Sequence, residues 1–197
     1  MTDTLSAHFS YTTEVKHSRF IAHAAPVASS EQALYFVGQV SDADATHNCW
    51  AYRIGKEYRS NDDNEPAGTA GRPILAAIDG QNCDRVVVVV TRWFGGIKLG
   101  AGGLARAYGG TAAECLRHAE RHRLIEMIEL TVACPFDELG TLHTALSLHS
   151  VEKTSEHFEA DGAHLSLRLP SDQLADLKTY LRNASCDRIR FLNTSTQ

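Results

Sequence analysis

Hydrophobic residues change period several times along this chain, and each change predicts an element. Val86 to Val90 is an unbroken β-branched run, the pattern of a strand buried on both faces and the expected centre of a first sheet. Ahead of it, Phe9 to Val15 and Arg19 to Ala25 read as a pair of short strands, and His47 to Ile54 alternates like another. Ser29 or Ser30 can cap a helix to about Val40, with Ala33, Leu34, Val37 and Val40 on one face. Thr69 to Ile78 predicts a short helix with Ile74, Leu75 and Ile78 inward and Pro73 in its first turn, where a missing N–H breaks no helical bond. From Gly103 to about His122 the positions Leu104, Ala107, Tyr108, Thr111, Ala112, Cys115 and Leu116 recur at helical spacing. Small residues at Ala105, Gly109, Gly110, Ala112 and Ala113 let that helix lie close to the sheet.

The polar stretch Glu120 to Leu124 marks a boundary, giving expected domains at 1–122 and 123–197. Beyond it, Glu126 to Ala133 predicts a strand and Phe136 to Leu148 a helix. Val151 to Phe158 and His164 to Leu169 alternate around a turn at Ala160-Asp-Gly-Ala163. Ser171 is placed to cap a helix through Leu174, Leu177 and Leu181, and Arg188 to Leu192 closes the pattern. The order is β-α-β-β-α-β, the ferredoxin-like arrangement, so the fold class is α+β in two domains.

Composition narrows the function. The chain has 197 residues, is 43% hydrophobic and carries a formal net charge of −5. An acidic molecule does not attract nucleic acid as a whole, so any affinity for phosphate comes from a local patch. No apolar run approaches the roughly 20 residues that cross a bilayer, and MTDTLSAHFSY lacks the pattern of a signal peptide. The five cysteines are scattered and odd in number, which fits reduced thiols in a cytoplasm.

Two loops carry the candidate chemistry. Trp93-Phe-Gly-Gly-Ile-Lys-Leu-Gly-Ala-Gly-Gly-Leu-Ala-Arg106 sets Gly95, Gly96, Gly100, Gly102 and Gly103 among Arg92, Lys98 and Arg106. It is not a P-loop, because Ala101 stands where the lysine belongs. Gly100-Ala-Gly-Gly-Leu-Ala105 matches a dinucleotide-binding glycine pattern formally, but the strand ends near Thr91 and the first glycine arrives late. Successive N–H groups at a helix start, with three cations nearby, fit anion binding better. A tight strand-to-helix connection is the plain alternative.

The second loop, Asn61-Asp-Asp-Asn-Glu-Pro-Ala-Gly-Thr-Ala-Gly71, brings Asp62, Asp63 and Glu65 together ahead of Thr69. Such carboxylates can hold Mg²⁺, supply a general base, or favour the start of the following helix. Salt-bridging to the basic loop is the expected use, orienting its cations or excluding wrong ligands. His47 and Cys49 share one strand face, and two such groups are too few for a metal site, so a core or cleft-lining role is expected. The pattern predicts no metal, cofactor or catalytic residue.

Lys16-His-Ser-Arg-Phe-Ile21, His47-Asn-Cys-Trp-Ala-Tyr52, the acidic loop and Val88 to Tyr108 together resemble the IMPACT/YigZ family. Asn61, Asn64 and Trp93 depart from its usual Ser, Gly and Tyr, and Asn tolerates the left-handed backbone that such a loop needs. The resemblance implies an N-terminal domain similar to the second domain of a small-subunit ribosomal protein. It implies a C-terminal ferredoxin-like domain similar to one in elongation factor G. Eukaryotic members resemble regulators of translation that act by binding the activator of a stress kinase, and they carry an extra N-terminal domain. The expectation for this protein is a cytoplasmic binding protein, a regulator of translation that meets RNA, the ribosome or a translation factor at the glycine-rich loop. An Mg²⁺-dependent enzyme acting on a phosphorylated small molecule and a protein–protein adaptor are the competing readings.

Overall fold

The structure is a computed structural model that describes residues 2–149 and 151–196. Its elements in chain order are β1 (Asp3–Leu5), β2 (Phe9–Val15), β3 (Ser18–Pro26), α1 (Ser30–Val40), β4 (His47–Ile54), β5 (Glu57–Asn61), α2 (Gly71–Gly80), β6 (Val86–Trp93), α3 (Ala101–His118), β7 (Arg121–Arg123), β8 (Met127–Pro135), α4 (Leu139–Leu148), β9 (Glu152–Phe158), β10 (Gly162–Pro170), α5 (Leu174–Ser185) and β11 (Arg190–Thr196). They form two compact units, Met1–Leu124 and Ile125–Gln197. The fold is α+β.

In the first unit a five-stranded sheet runs β2-β3-β6-β4-β5. β6 is central, and its valines divide by parity. Val86, Val88 and Val90 pack with Ile74 and Ile78 of α2 and Leu104, Ala107 and Tyr108 of α3. Val87 and Val89 pack with Ala33 of α1 and with Trp50 and Tyr52 of β4. A fully apolar run is therefore required here, since a polar side chain on either face is buried. Ser29 caps α1 with its hydroxyl, accepting from the Gln32 N–H, as its position predicts. The small residues of α3 serve the neighbouring helix as well as the sheet: a Cβ on Gly109 meets the Pro73 carbonyl oxygen at 3.3 Å.

Three details differ from the sequence pattern. α3 begins at Ala101, two residues before the predicted start, because Gly100 turns the chain with φ 71°. β5 pairs with β4, although its sequence does not alternate. Arg121–Arg123 is a short strand paired antiparallel with β1, and Leu124 donates its N–H to the Thr2 carbonyl at 2.9 Å. The polar stretch thus belongs to the first unit, with a short strand where helical spacing ran on to about His122 and α3 itself ending at His118.

The second unit has a four-stranded sheet in the order β11-β8-β10-β9, with every neighbour antiparallel. Leu142 and Ala145 of α4 and Leu177 and Leu181 of α5 cover one face through Leu130, Val132, Leu165 and Leu167. Ser171 does not cap α5: it opens a 3-10 turn, Ser171–Gln173, and its N–H donates to the Glu126 carbonyl. That turn supplies the first helical bonds, so a side-chain cap is not needed.

Candidate functional site

Sheet register builds the site. Phe20 of β3 lies opposite Arg92 of β6, and Arg92 lies opposite His47 of β4. The three side chains form a row at the end of the helix-covered face. Glu65 reaches this row from the loop before α2, and Tyr108 reaches it from α3. Glu65 Oε1 accepts from Arg92 Nη1 at 2.6 Å and from the Tyr108 hydroxyl at 2.7 Å, with His47 Nε2 at 3.7 Å. Arg92 also donates to the Ser18 hydroxyl at 3.4 Å, and its guanidinium lies 5.6 Å from the Phe20 ring and 5.5 Å from the Phe94 ring. Arg92 is 4% exposed and Glu65 7%. Expected among the cations facing a phosphate, Arg92 is instead an interior group neutralised by Glu65. Its parity sets it on the face of Val86, Val88 and Val90, and there the loop before α2 covers it with Glu65.

The two aspartates of the acidic loop serve the backbone. Asp62 Oδ1 accepts from the N–H groups of Ala70 and Gly71 at 3.0 and 2.8 Å, and Oδ2 from Gly68 at 2.8 Å. These donors lead into α2, so Asp62 caps that helix from outside its own sequence position. Burial alone raises the Asp62 pKa, but these three N–H groups outweigh it and hold the carboxyl below its ordinary value. Asp63 Oδ2 accepts from the Asn48 N–H at 2.6 Å. Thr69 is buried and donates its hydroxyl to the Pro66 carbonyl at 2.6 Å. Asp63 and Asn64 take left-handed φ values of 39° and 65°, the conformation that Asn adopts more readily than most residues. Only Glu65 of the three carboxylates pairs with a cation of the basic segment. Among the described residues no group of three or more His, Cys, Asp or Glu is placed to hold a metal ion.

His47 and Cys49 hold the same loop from the sheet side. His47 Nδ1 lies 2.7 Å from the Asp63 carbonyl and Cys49 Sγ 3.0 Å from the Asp62 carbonyl. A carbonyl only accepts, so His47 carries its proton on Nδ1. Burial, followed by the nearby carboxylates, pushes the Cys49 thiol up to about 12, against a partial offset from the Tyr108 hydroxyl. It is a structural thiol rather than a nucleophile. Burial first, then the Cys49 and Glu65 neighbours, likewise raises Tyr108 above its ordinary value, so the phenol keeps its proton and donates it to Glu65.

The glycine-rich segment has two parts. Gly95 lies against the β2–β3 turn: a Cβ there meets the His17 carbonyl carbon and oxygen at 2.0 Å, and its N–H donates to Ser18 Oγ at 3.1 Å. Gly96 and Gly100 turn the chain with φ 87° and 71°. Gly102 and Gly103 sit in the first turn of α3, whose N-terminus no side chain caps. Lys98 and Arg106 are exposed. Two clefts meet at Leu99. One, of about 320 Å³, is lined by His47, Glu65, Arg92, Phe94, Lys98 and Gly100 among others. The other, of about 270 Å³, is lined by Lys16, Arg106 and Gly103 among others. Sequence patterning missed Phe94 and the polar duty of Tyr108. The latter has a signal, because a tyrosine on a buried helix face needs a partner for its hydroxyl.

The second unit holds a larger cleft of about 430 Å³. Its Arg188 is paired with Asp137 and Glu138, and its His164 lies 3.4 Å from Glu159, so these groups are satisfied locally.

Residues 16–116 match the family model described as Impact N-terminal domain. The chain is 50% identical over 156 residues to an IMPACT family member of Thermus thermophilus, covering 79% of this chain and 86% of the relative. It is 33% identical over 186 residues to the IMPACT family member YigZ of Escherichia coli, covering 91% of each. To the human Protein IMPACT it is 39% identical over 95 residues, 43% of this chain and 29% of that protein. A crystal structure of a protein described as hypothetical superposes with a TM-score of 0.65 at 32% identity, covering 98% of this chain and 97% of the other.

Proposed function

The chain belongs to the IMPACT family, and from that premise we propose that it is a translation-linked regulator that contacts RNA, free or in the ribosome, at the glycine-rich segment before α3. One observation carries the reading. Lys98 and Arg106 are exposed around the uncapped start of an 18-residue helix, and neither has a hydrogen-bond or ion-pair partner among the described residues. Lys16 joins Arg106 at the same surface. Oriented N–H groups and unpaired cations together favour phosphate, and against a net charge of −5 they make a local attraction rather than a global one. Arg92 and Glu65 support this surface from inside. Asp62 and Asp63 shape the wall beside it, and their engaged oxygens disfavour the Mg²⁺ reading.

The proposed location is the cytoplasm, in keeping with five cysteines that are all free. No helix among the described residues is long and apolar enough to cross a membrane.

The test is capture of the full chain from lysate with and without nuclease, with RNA and ribosomal proteins measured in the eluate. Ribosomal RNA and proteins that disappear after nuclease treatment are the expected result. Co-purification of a protein that nuclease leaves untouched, without RNA, favours the adaptor reading and overturns this one.

A further inference from the structure

The 320 Å³ cleft has a hydrogen-bonding wall with a definite sense. Glu65 Oε1 is occupied by Arg92 and Tyr108. Among the described residues no hydrogen bond reaches Oε2, and that atom is not among the fully buried unpartnered ones, although Glu65 as a residue is only 7% exposed. An otherwise buried carboxylate therefore keeps one free acceptor oxygen at the cleft. His47 adds another acceptor. Its Nδ1 donates to the Asp63 carbonyl, so in the neutral ring Nε2 carries the lone pair, and it lies within 3.7 Å of the same carboxylate. Two adjacent acceptors require a ligand with two adjacent donors.

The rest of the cleft sets the ligand's shape and charge. Phe94, a residue 47% exposed, lines it beside the apolar Pro66, Leu99 and Leu104. Glu65 and Arg92 offset one another, which leaves the charge of Lys98 next to the first residues of α3. A flat group with two donors, an aromatic stacking face and an attached anion meets all of these conditions. Small-ligand sites begin near about 300 Å³, so this cleft takes one nucleoside and not two.

We propose that the cleft holds the guanine base of an unpaired nucleotide in RNA. This rests on the RNA reading above and names what that surface selects. Guanine alone among the four bases presents two neighbouring donors, N1–H and the 2-amino group, on its Watson–Crick edge. Adenine and cytosine present a donor beside an acceptor, and uracil a donor between two acceptors. Glu65 Oε2 and His47 Nε2 read the guanine edge, Phe94 stacks on the ring, and Lys98 with the α3 N-terminus takes the phosphate. Single-stranded bases are recognised in this manner, by aromatic stacking and hydrogen bonds to their edges.

The test varies the RNA first, so that no buried residue need be changed. The full chain is titrated with short fluorescein-labelled oligouridines that carry one central guanine, inosine or adenine, or none, and anisotropy is read. Inosine keeps N1–H and lacks the 2-amino group. The guanine oligomer is expected to bind about tenfold more tightly than the other three. Phe94→Ala, at an exposed position, is expected to erase that preference and to keep the weaker, salt-sensitive binding of plain oligouridine. Equal affinity for all four oligomers overturns the guanine inference and leaves the RNA reading standing. A preference that survives Phe94→Ala at full strength places the base elsewhere and also overturns it. Failure of every oligomer to bind overturns the RNA reading itself, and GMP binding in that case makes a free nucleotide the ligand.

Discussion

The Arg92 guanidinium donates to Glu65 Oε1 at 2.6 Å with both side chains no more than 5% exposed, so the most prominent basic residue of the β6 end is spent inside the molecule. Removing one partner strands the other charge in a dry site, at a cost of about 3–5 kcal/mol. Arg92→Ala is therefore expected to lose stability in that range by urea denaturation. Replacing both, with Glu65→Gln and Arg92→Met, is expected to recover a large part of it. A loss below about 0.5 kcal/mol for Arg92→Ala is the behaviour of a surface residue and contradicts the pairing.

Asp62 makes stability depend on acid. Burial works to raise its pKa, and the N–H groups of Gly68, Gly71 and Ala70 bring it below the unfolded value. The stabilisation is thus full above the unfolded pKa, near about 4, and is lost as pH falls through the lower folded value. Asp62→Asn is expected to cost about 0.5–2 kcal/mol at neutral pH, as helix caps do. Melting curves of the two proteins should converge as pH falls through the lowered folded value of Asp62. A gap that stays constant through that range rules out the charged cap.

The cysteines should separate by burial. Cys49, Cys83, Cys115 and Cys134 are buried and Cys186 is exposed. Burial pushes the thiols of Cys49 and Cys115 up to about 12 and that of Cys134 up to about 11. Because the thiolate is the reactive form, brief alkylation of the native protein at pH 8 is expected to modify Cys186 alone. Mass spectrometry of the labelled peptides checks this, and fast labelling of Cys49 contradicts a structural thiol.

Glycines of the same loop should respond in opposite ways. Gly95→Ala drives a Cβ to 2.0 Å from the His17 backbone, and the loop or the β2–β3 turn must move. A loss of more than about 2 kcal/mol is expected, the usual scale of a steric clash that packing cannot absorb. Gly102 lies in helix, and the nearest atom to an added Cβ is Arg106 Nη1 at 3.6 Å. Gly102→Ala is expected to gain up to about 1 kcal/mol from helix propensity. If the backbone there approaches RNA, the same variant binds RNA more weakly while melting higher, a combination that thermal denaturation and anisotropy together detect.

Lys98→Ala and Arg106→Ala should each lower RNA affinity and reduce the slope of log affinity against log salt by about one unit. Neither should shift stability by more than about 0.5 kcal/mol. An unchanged salt slope in the double variant removes this surface from the interaction.

By itself the sequence determined the elements whose periods are unambiguous and the family to which the chain belongs. β6 was legible because five consecutive β-branched residues suit only a strand covered on both faces. α1 and α3 were legible from helical spacing, and the β-α-β-β-α-β order of the second unit from alternation and turn residues. The glycine and acidic loops were legible as a pair because glycines and carboxylates in such density have no use in a core. Periodicity, however, is a property of neighbours along the chain.

What the tertiary structure decided depends on residues far apart. Arg92 and Glu65 meet only because α2 docks its preceding loop at the end of β6, and parity could not separate an inward from an outward arginine on a strand buried on both faces. Asp62 became a cap for α2 and Asp63 a clasp on β4 because their backbone donors lie across a folded loop. The short strands β1 and β7 carry no period long enough to detect, and their pairing exists only once the rest of the first unit brings them together. So the choice of which cations stay free, Lys98 and Arg106 rather than Arg92, belongs to sheet register. Register pairs side chains that the chain itself holds tens of residues apart.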